Sequence, residues 1–282
     1  MKFLKILAFI ILIILLIWGL GFVISAQQNK KVRQSIIKGA ESQIIDLSPT
    51  RYADAPPLVQ KYFNYAFNGK KQIEVAYIDW NEKGDFTLPF GQFKVSARQV
   101  SQAHNPRYIW AGLYKINGIL PFLESRDAFM IESHNMRAKI GGWMTVMDTH
   151  SYGGQDVVDL YSQLLVRYYG AALNFPWVLL PSENITWIEQ SDNQAILDVR
   201  FGELNAQYIV TFAENGAIIQ MDTTEYLRHG NDLKLKEYGK KLDYKEVNGL
   251  MIPTVMDYSW YMEDGTLDTA YHFEIRDIKY KK

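Results

Sequence analysis

The chain has 282 residues, no cysteine and a formal net charge of -1, with 48% hydrophobic and 14% aromatic residues. The near-neutral balance argues against nucleic acid as a partner. The missing cysteines exclude disulfides, thiolate metal ligands, a cysteine nucleophile and a lipidated cysteine.

Residues 6–24 form a run of 19 without a charged or strongly polar side chain, preceded by Lys2 and Lys5 and followed by Gln27, Gln28, Asn29, Lys30, Lys31 and Arg33. A run of that length crosses a bilayer core as a helix. It is longer than the apolar core of an ordinary secretory signal, which favours an uncleaved anchor over residues 1–26. The positive start resembles an export signal, so the domain is expected on the extracytoplasmic side. Residues 27–50 read as a polar connector, and residues 51–282 as a single β-rich domain, a size that all-β units reach.

Within that domain, Asp54 and Pro56 announce a helix carrying Leu58, Tyr62, Tyr65 and Ala66 on one side, and Asn68-Gly69 ends it. The period then changes to two. Ile73, Val75 and Tyr77 alternate with polar residues, as do Phe93, Val95 and Ala97, then Tyr108, Trp110 and Gly112. A turn is expected at 133–135, and residues 139–147 read as a strand bent at Gly141-Gly142. From Gln155 the residues Val157, Leu160, Tyr161, Leu164, Leu165 and Tyr168 fall on one helical side, closed by Gly170. The proline-bracketed stretch 175–181 suits neither a central strand nor a continuous helix, and is expected as a buried irregular connection. The last hundred residues read as a meander, with turns at Gly202, Asn215-Gly216, Asn248-Gly249 and Asp264-Gly265. The expected architecture is mainly β, or α+β: a large curved antiparallel sheet or half-barrel packed on one or two helices, after an N-terminal transmembrane helix.

Chemistry-bearing patterns are sparse. Asp148, His150, Asp156 and Asp159 form the densest set of oxygen and imidazole donors, but Asp156 and Asp159 open a helix, where capping accounts for them without a metal. The chain carries no Gly-x-Ser-x-Gly elbow, no His-Glu-x-x-His and no phosphate loop, and no cofactor is expected. Trp110, Trp143, Trp177 and Trp187, with Arg126 and Arg228 on strands, are the candidate ligand-binding residues. An aromatic-lined sheet face suits a lipid or other hydrophobic ligand. The competing reading is a cell-envelope enzyme, hydrolase-like, with a polar site around Asp148, His150 and Arg126.

Several segments resemble a bacterial family of uncharacterised membrane-anchored proteins. They are Phe93-x-x-x-Ala97-x-Gln99, the stretch 106–111, Arg126-Asp127, the Phe-Pro-x-x-Leu-Leu-Pro element at 175–181, Trp187, Arg228 and Gly249-x-x-Ile252-Pro253. Where that family has a Glu and a Trp before the Phe-Pro element, this chain has Ala171 and Asn174. The resemblance implies no established activity. By fold analogy it implies a half-barrel like that of periplasmic lipoprotein carriers, which hold acyl chains.

Overall fold

The computed structural model describes residues 2–130, 135–149, 155–227 and 234–282, as backbone alone at 155–160, 224–227 and 234. Its first element is a single helix, α1 (Lys2–Lys38), 37 residues and about 55 Å long at the α-helical rise. The helix passes unbroken from the apolar run into the polar residues that follow. Among the described residues, α1 is the one helix long and apolar enough to cross a membrane.

Strand β1 (Gln43–Asp46) is followed by a 3-10 turn at Pro49–Tyr52 and helix α2 (Pro57–Phe67). The sequence reading placed the cap of α2 at Asp54. The structure places Pro56 there, in extended conformation with Pro57 opening the helix, because a residue before proline is pushed out of the α region. Asn68 ends α2 as expected, in the left-handed region at φ 49°.

Strands β2 (Gln72–Val75), β3 (Tyr77–Leu88), β4 (Gly91–Gln102), β5 (Tyr108–Ile116), β6 (Leu120–Phe129), β7 (Asn135–Ile140) and β8 (Met144–Asp148) precede helix α3 (Gln155–Gly170). Residues 139–147 are therefore not one bent strand. Gly141 and Gly142, at φ 63° and 75°, form the turn of a β7–β8 hairpin. Positive φ at two successive residues reverses the chain rather than bending it. After α3, the stretch 171–181 is irregular and buried, built on 3-10 turns at Ala172–Asn174 and Pro176–Leu179. The meander follows as expected: β9 (Ile185–Ser191), β10 (Gln194–Phe201), β11 (Leu204–Phe212), β12 (Ile218–Leu227), β13 (Lys234–Val247), β14 (Leu250–Tyr261) and β15 (Leu267–Lys281).

β1 and β2 form a small sheet of their own. The other 13 strands form one antiparallel sheet in the order β8-β7-β6-β5-β4-β3-β15-β14-β13-β12-β11-β10-β9. The expected curved half-barrel is overturned: this is an open sheet in an α+β fold. Among the described residues β8 and β9, at the two ends of the order, do not pair with each other. Alternation reveals which strand face is buried; it does not reveal what becomes of the edges. Nor is burial confined to one face. α2, α3 and the stretch 171–181 cover one face with Phe63, Phe67, Leu164, Leu165, Tyr168, Phe175 and Trp177. The polar half of α1 covers the other face of β4–β6, where Ile36 packs on Val100, Ile109 and Ala128.

The registers place the β3–β4, β5–β6, β7–β8 and β14–β15 turns along one rim of the sheet. The β4–β5 and β13–β14 connections lie on the opposite rim. α1 runs from the first rim, where Trp18 donates to the Pro121 carbonyl at 2.9 Å, to the second, where Gln102 donates to the Ile36 carbonyl at 2.9 Å.

Candidate functional site

A cavity of about 550 Å³ lies between α3 and the inner face of β3–β8 and β13–β15. That size falls within the rough 300–1,000 Å³ range of small-molecule sites. Alternation puts the aromatics on this face. Phe86 of β3, Trp110 and Tyr114 of β5, Phe122 of β6, Tyr258 and Trp260 of β14, and Tyr271 and Phe273 of β15 form the walls. The rings pack on one another. Tyr271 and Phe273 stack with centroids 4.5 Å apart, and Phe86 meets Tyr271 at 5.1 Å and Tyr114 edge-on at 5.2 Å. Such pairs hold the walls in place beyond simple burial.

A few polar groups interrupt this lining. Glu82 follows Ile78 and Trp80 on the buried face of β3. Its carboxylate accepts from Trp80 Nε1 at 2.8 Å, Trp110 Nε1 at 2.8 Å and the Tyr271 hydroxyl at 3.1 Å. Burial pushes its pKa above the usual carboxylate range, and the three donors oppose that rise. Asp127, buried on β6, pairs with Arg167 of α3. Burial raises the Asp127 carboxyl, against the pull of Arg167 and Arg126. Gln163 of α3 also lines the cavity, and its buried Oε1 has no hydrogen-bond partner among the described residues.

On β13, Glu237 and Lys241 share the buried face two pleats apart. Trp260 Nε1 donates to Glu237 at 2.7 Å. Burial raises Glu237 and lowers Lys241, each partly offset by the other's charge. Lys241 Nζ donates to the Tyr258 hydroxyl at 2.5 Å and to the Gly170 carbonyl at 3.2 Å, and Tyr258 donates to the same carbonyl at 2.8 Å. The Lys241 amino group and the Tyr258 hydroxyl therefore close the C-terminus of α3 by hydrogen bonds to its last carbonyl.

The residues singled out from the sequence are dispersed. Trp110 lines the cavity. Trp143 is exposed at the β7–β8 turn, donating to the Ile17 carbonyl of α1 at 2.7 Å. Trp177 and Trp187 are buried outside the lining, anchored on the Ala103 and Leu179 carbonyls at 2.9 Å each. Arg126 points to the opposite face, beneath α1, and donates to Asn135, whose own amide donates to Asp148 at 2.9 Å. Burial, and next the nearby Arg137, lower the Arg126 pKa to about 10. Beside it Glu124 accepts from Asn29 of α1 at 2.7 Å and from Arg137 at 3.2 Å. Arg228, His150 and the turn at 133–134 lie outside the described residues, as do the side chains of Asp156 and Asp159. Sequence reasoning passed over Glu82, Glu237 and Lys241. The signal was present for Glu82, which falls on the apolar phase of β3 with Ile78, Trp80, Phe86 and Leu88; on β13 the phase of Glu237 and Lys241 holds Leu235, Gly239 and Asp243 and gives no such signal.

A comparison with curated proteins finds no match. Solved structures give loose likenesses. A LolA superfamily protein from Nitrosomonas europaea matches at 10% identity and TM-score 0.38, covering 80% of this chain and 92% of that one. A DUF1329 family protein from Desulfovibrio piger matches at 7% and 0.44, covering 84% and 94%. A domain named for outer membrane lipoprotein sorting, from Vibrio parahaemolyticus, matches at 9% and 0.39, covering 73% and 86%. Likenesses this distant transfer no ligand. The expected membership of a family without established activity is met at that level: residues 53–280 match a family of unknown function, DUF6920, and the chain belongs to it.

Proposed function

We propose that this is a membrane-tethered protein that holds a lipid or other hydrophobic ligand in the cavity between α3 and the sheet. The observation that carries the reading is the cavity itself. It is large, walled mainly by aromatic and aliphatic side chains, and supplied with polar and ionisable groups, among them Glu82, Asp127, Arg167 and Glu237, able to fix one end of an amphipathic molecule. The apolar run 6–24 supports a tether, and the positive start at Lys2 and Lys5 supports an extracytoplasmic domain. Arg126 and Asp148 of the competing enzyme reading meet through Asn135 under α1, on the sheet face away from the cavity.

The test is native mass spectrometry of the full chain extracted from its own membranes in mild detergent. The expected spectrum carries a retained phospholipid or acylated mass. Ala138 lines the cavity, so Ala138→Phe fills part of it and is expected to reduce the retained lipid while leaving far-UV circular dichroism unchanged. Persistent absence of any retained lipid from the parent chain overturns the reading.

A further inference from the structure

The β3–β4, β5–β6 and β7–β8 turns carry large apolar side chains to the surface. Ile119 is 83% exposed, Phe90 69% and Trp143 48%, and Leu120, Met144 and Val146 are also exposed. The next turn on the same rim is Glu263-Asp264-Gly265, so the apolar patch belongs to three neighbouring hairpins and not to the whole rim.

α1 identifies what covers it. The helix leaves the domain through this patch, and its docking residues belong to the apolar run. The Ile17 carbonyl accepts from Trp143, Trp18 donates to Pro121, and a Cβ added at Gly21 would meet the Gly141 carbonyl at 2.1 Å. Beyond Trp18 toward the N-terminus, the large apolar side chains of α1 are exposed. The run 6–24 is about 28 Å long as a helix, and its last eight residues, about 12 Å, lie alongside the hairpin tips. A helix that uses this run to cross a bilayer core of about 30 Å carries those tips into the membrane surface with it. Tryptophan at such a boundary is in its preferred setting.

From this we infer that the three hairpin tips are seated in the bilayer that α1 enters, and that the cavity opens there into the lipid layer. Phe90 and Val146 belong both to the exposed patch and to the cavity lining, and Leu88 and Phe122 continue the lining inward from the same rim. A lipid chain can thus pass from the membrane into the cavity along an apolar path without crossing water. The inference rests on the ligand-binding reading for what enters, but the seating of the tips is measured separately.

The chain has no native cysteine, which permits single-site labelling. Ile119→Cys, Met144→Cys and, on the opposite rim, Asn105→Cys each receive an NBD fluorophore. The full chain is placed in nanodiscs of phosphatidylethanolamine and phosphatidylglycerol. The labels at 119 and 144 are expected to shift to the blue, to be quenched by doxyl lipids and to be shielded from iodide. The label at 105 is expected to behave in the opposite way. In an Ile119→Asn, Met144→Asn double variant, both positions exposed at the tips and outside the cavity lining, uptake of labelled lipid from the disc is expected to slow several-fold with unchanged final occupancy. Labels at 119 and 144 as open to iodide as the label at 105 overturn the seating, even if native mass spectrometry finds retained lipid. Labels seated in the bilayer with no retained lipid uphold the membrane contact and overturn the ligand reading instead.

Discussion

Glu82 is a carboxylate set among rings, held by two indole N–H groups and a tyrosine hydroxyl. Its pKa and that of Asp127 are raised, burial being the largest cause in each. The folded state therefore keeps protons that the unfolded chain releases. Their stabilising effect is complete below the ordinary carboxylate pKa and is lost as pH rises through the raised, folded value. Urea denaturation of the detergent-solubilised chain across the acid-to-neutral range is expected to show stability falling with pH over that window. Tyr271→Phe removes one donor that holds the Glu82 pKa down, and is expected to move the loss of stability to higher pH in the same urea series. At Gly239 a Cβ would meet the Met221 carbonyl at 2.8 Å, Tyr258 Cε1 at 3.0 Å and Lys241 Nζ at 3.3 Å. Gly239→Ala is therefore expected to destabilise by about 1–3 kcal/mol, the cost of overpacking, read as a lowered urea midpoint. Glu82 was legible as a charge in the apolar phase of β3. The donors around it were not, because Trp110 and Tyr271 come from strands 28 and 189 residues away.

At the scale of elements, α1 and the β7–β8 hairpin form a joint. Gly21 faces Gly141-Gly142, Trp143 holds the Ile17 carbonyl, and Asn29 and Gln28 reach Glu124 and Arg137 about two turns further on. The Gly21–hairpin approach is so close that any side chain there pushes the two apart. Gly21→Leu is expected to cost about 1–3 kcal/mol and to free the hairpin, which hydrogen exchange at Met144–Asp148 would report as faster exchange. Unchanged protection there would show that the joint does not hold the hairpin. The glycine pair was visible in the sequence as a break in a strand. Its role as a seat for a helix more than a hundred residues earlier was not, because periodicity describes one segment at a time.

Over the whole molecule, the proposed ligand links stability to occupancy. A lipid present at a hundred times its dissociation constant adds about 2.7 kcal/mol to the folded state. That corresponds to a Tm roughly 5–10 °C higher for a domain of this size. Stripping lipid from the parent chain is expected to lower Tm by about that amount. Ala138→Phe should show little further loss on stripping, and an equal loss in the two proteins would count against the cavity as the seat of the lipid. The half-barrel expectation failed at this scale. Most of the local patterns it used were sound: the alternation, the Asn215-Gly216, Asn248-Gly249 and Asp264-Gly265 turns, and the helix ending at Gly170 appear in the structure, while the strand read over 139–147 is a hairpin. Closure is a relation between β8 and β9, which no short-range pattern records.

By itself the sequence determined the apolar run and its charged flanks, the two domain helices, the strands and turns of the C-terminal meander and the irregular stretch 175–181. These follow from hydrophobic period, proline and glycine, which act over a few residues. Only the tertiary structure decided the 13-stranded open sheet, the cavity under α3, the burial of Glu82, Asp127, Glu237 and Lys241, and the placing of three apolar hairpin tips around the exit of α1. Each of these depends on strand register across the whole sheet and on which face a helix covers. The free energy that fixes them comes from contacts between residues far apart in the chain.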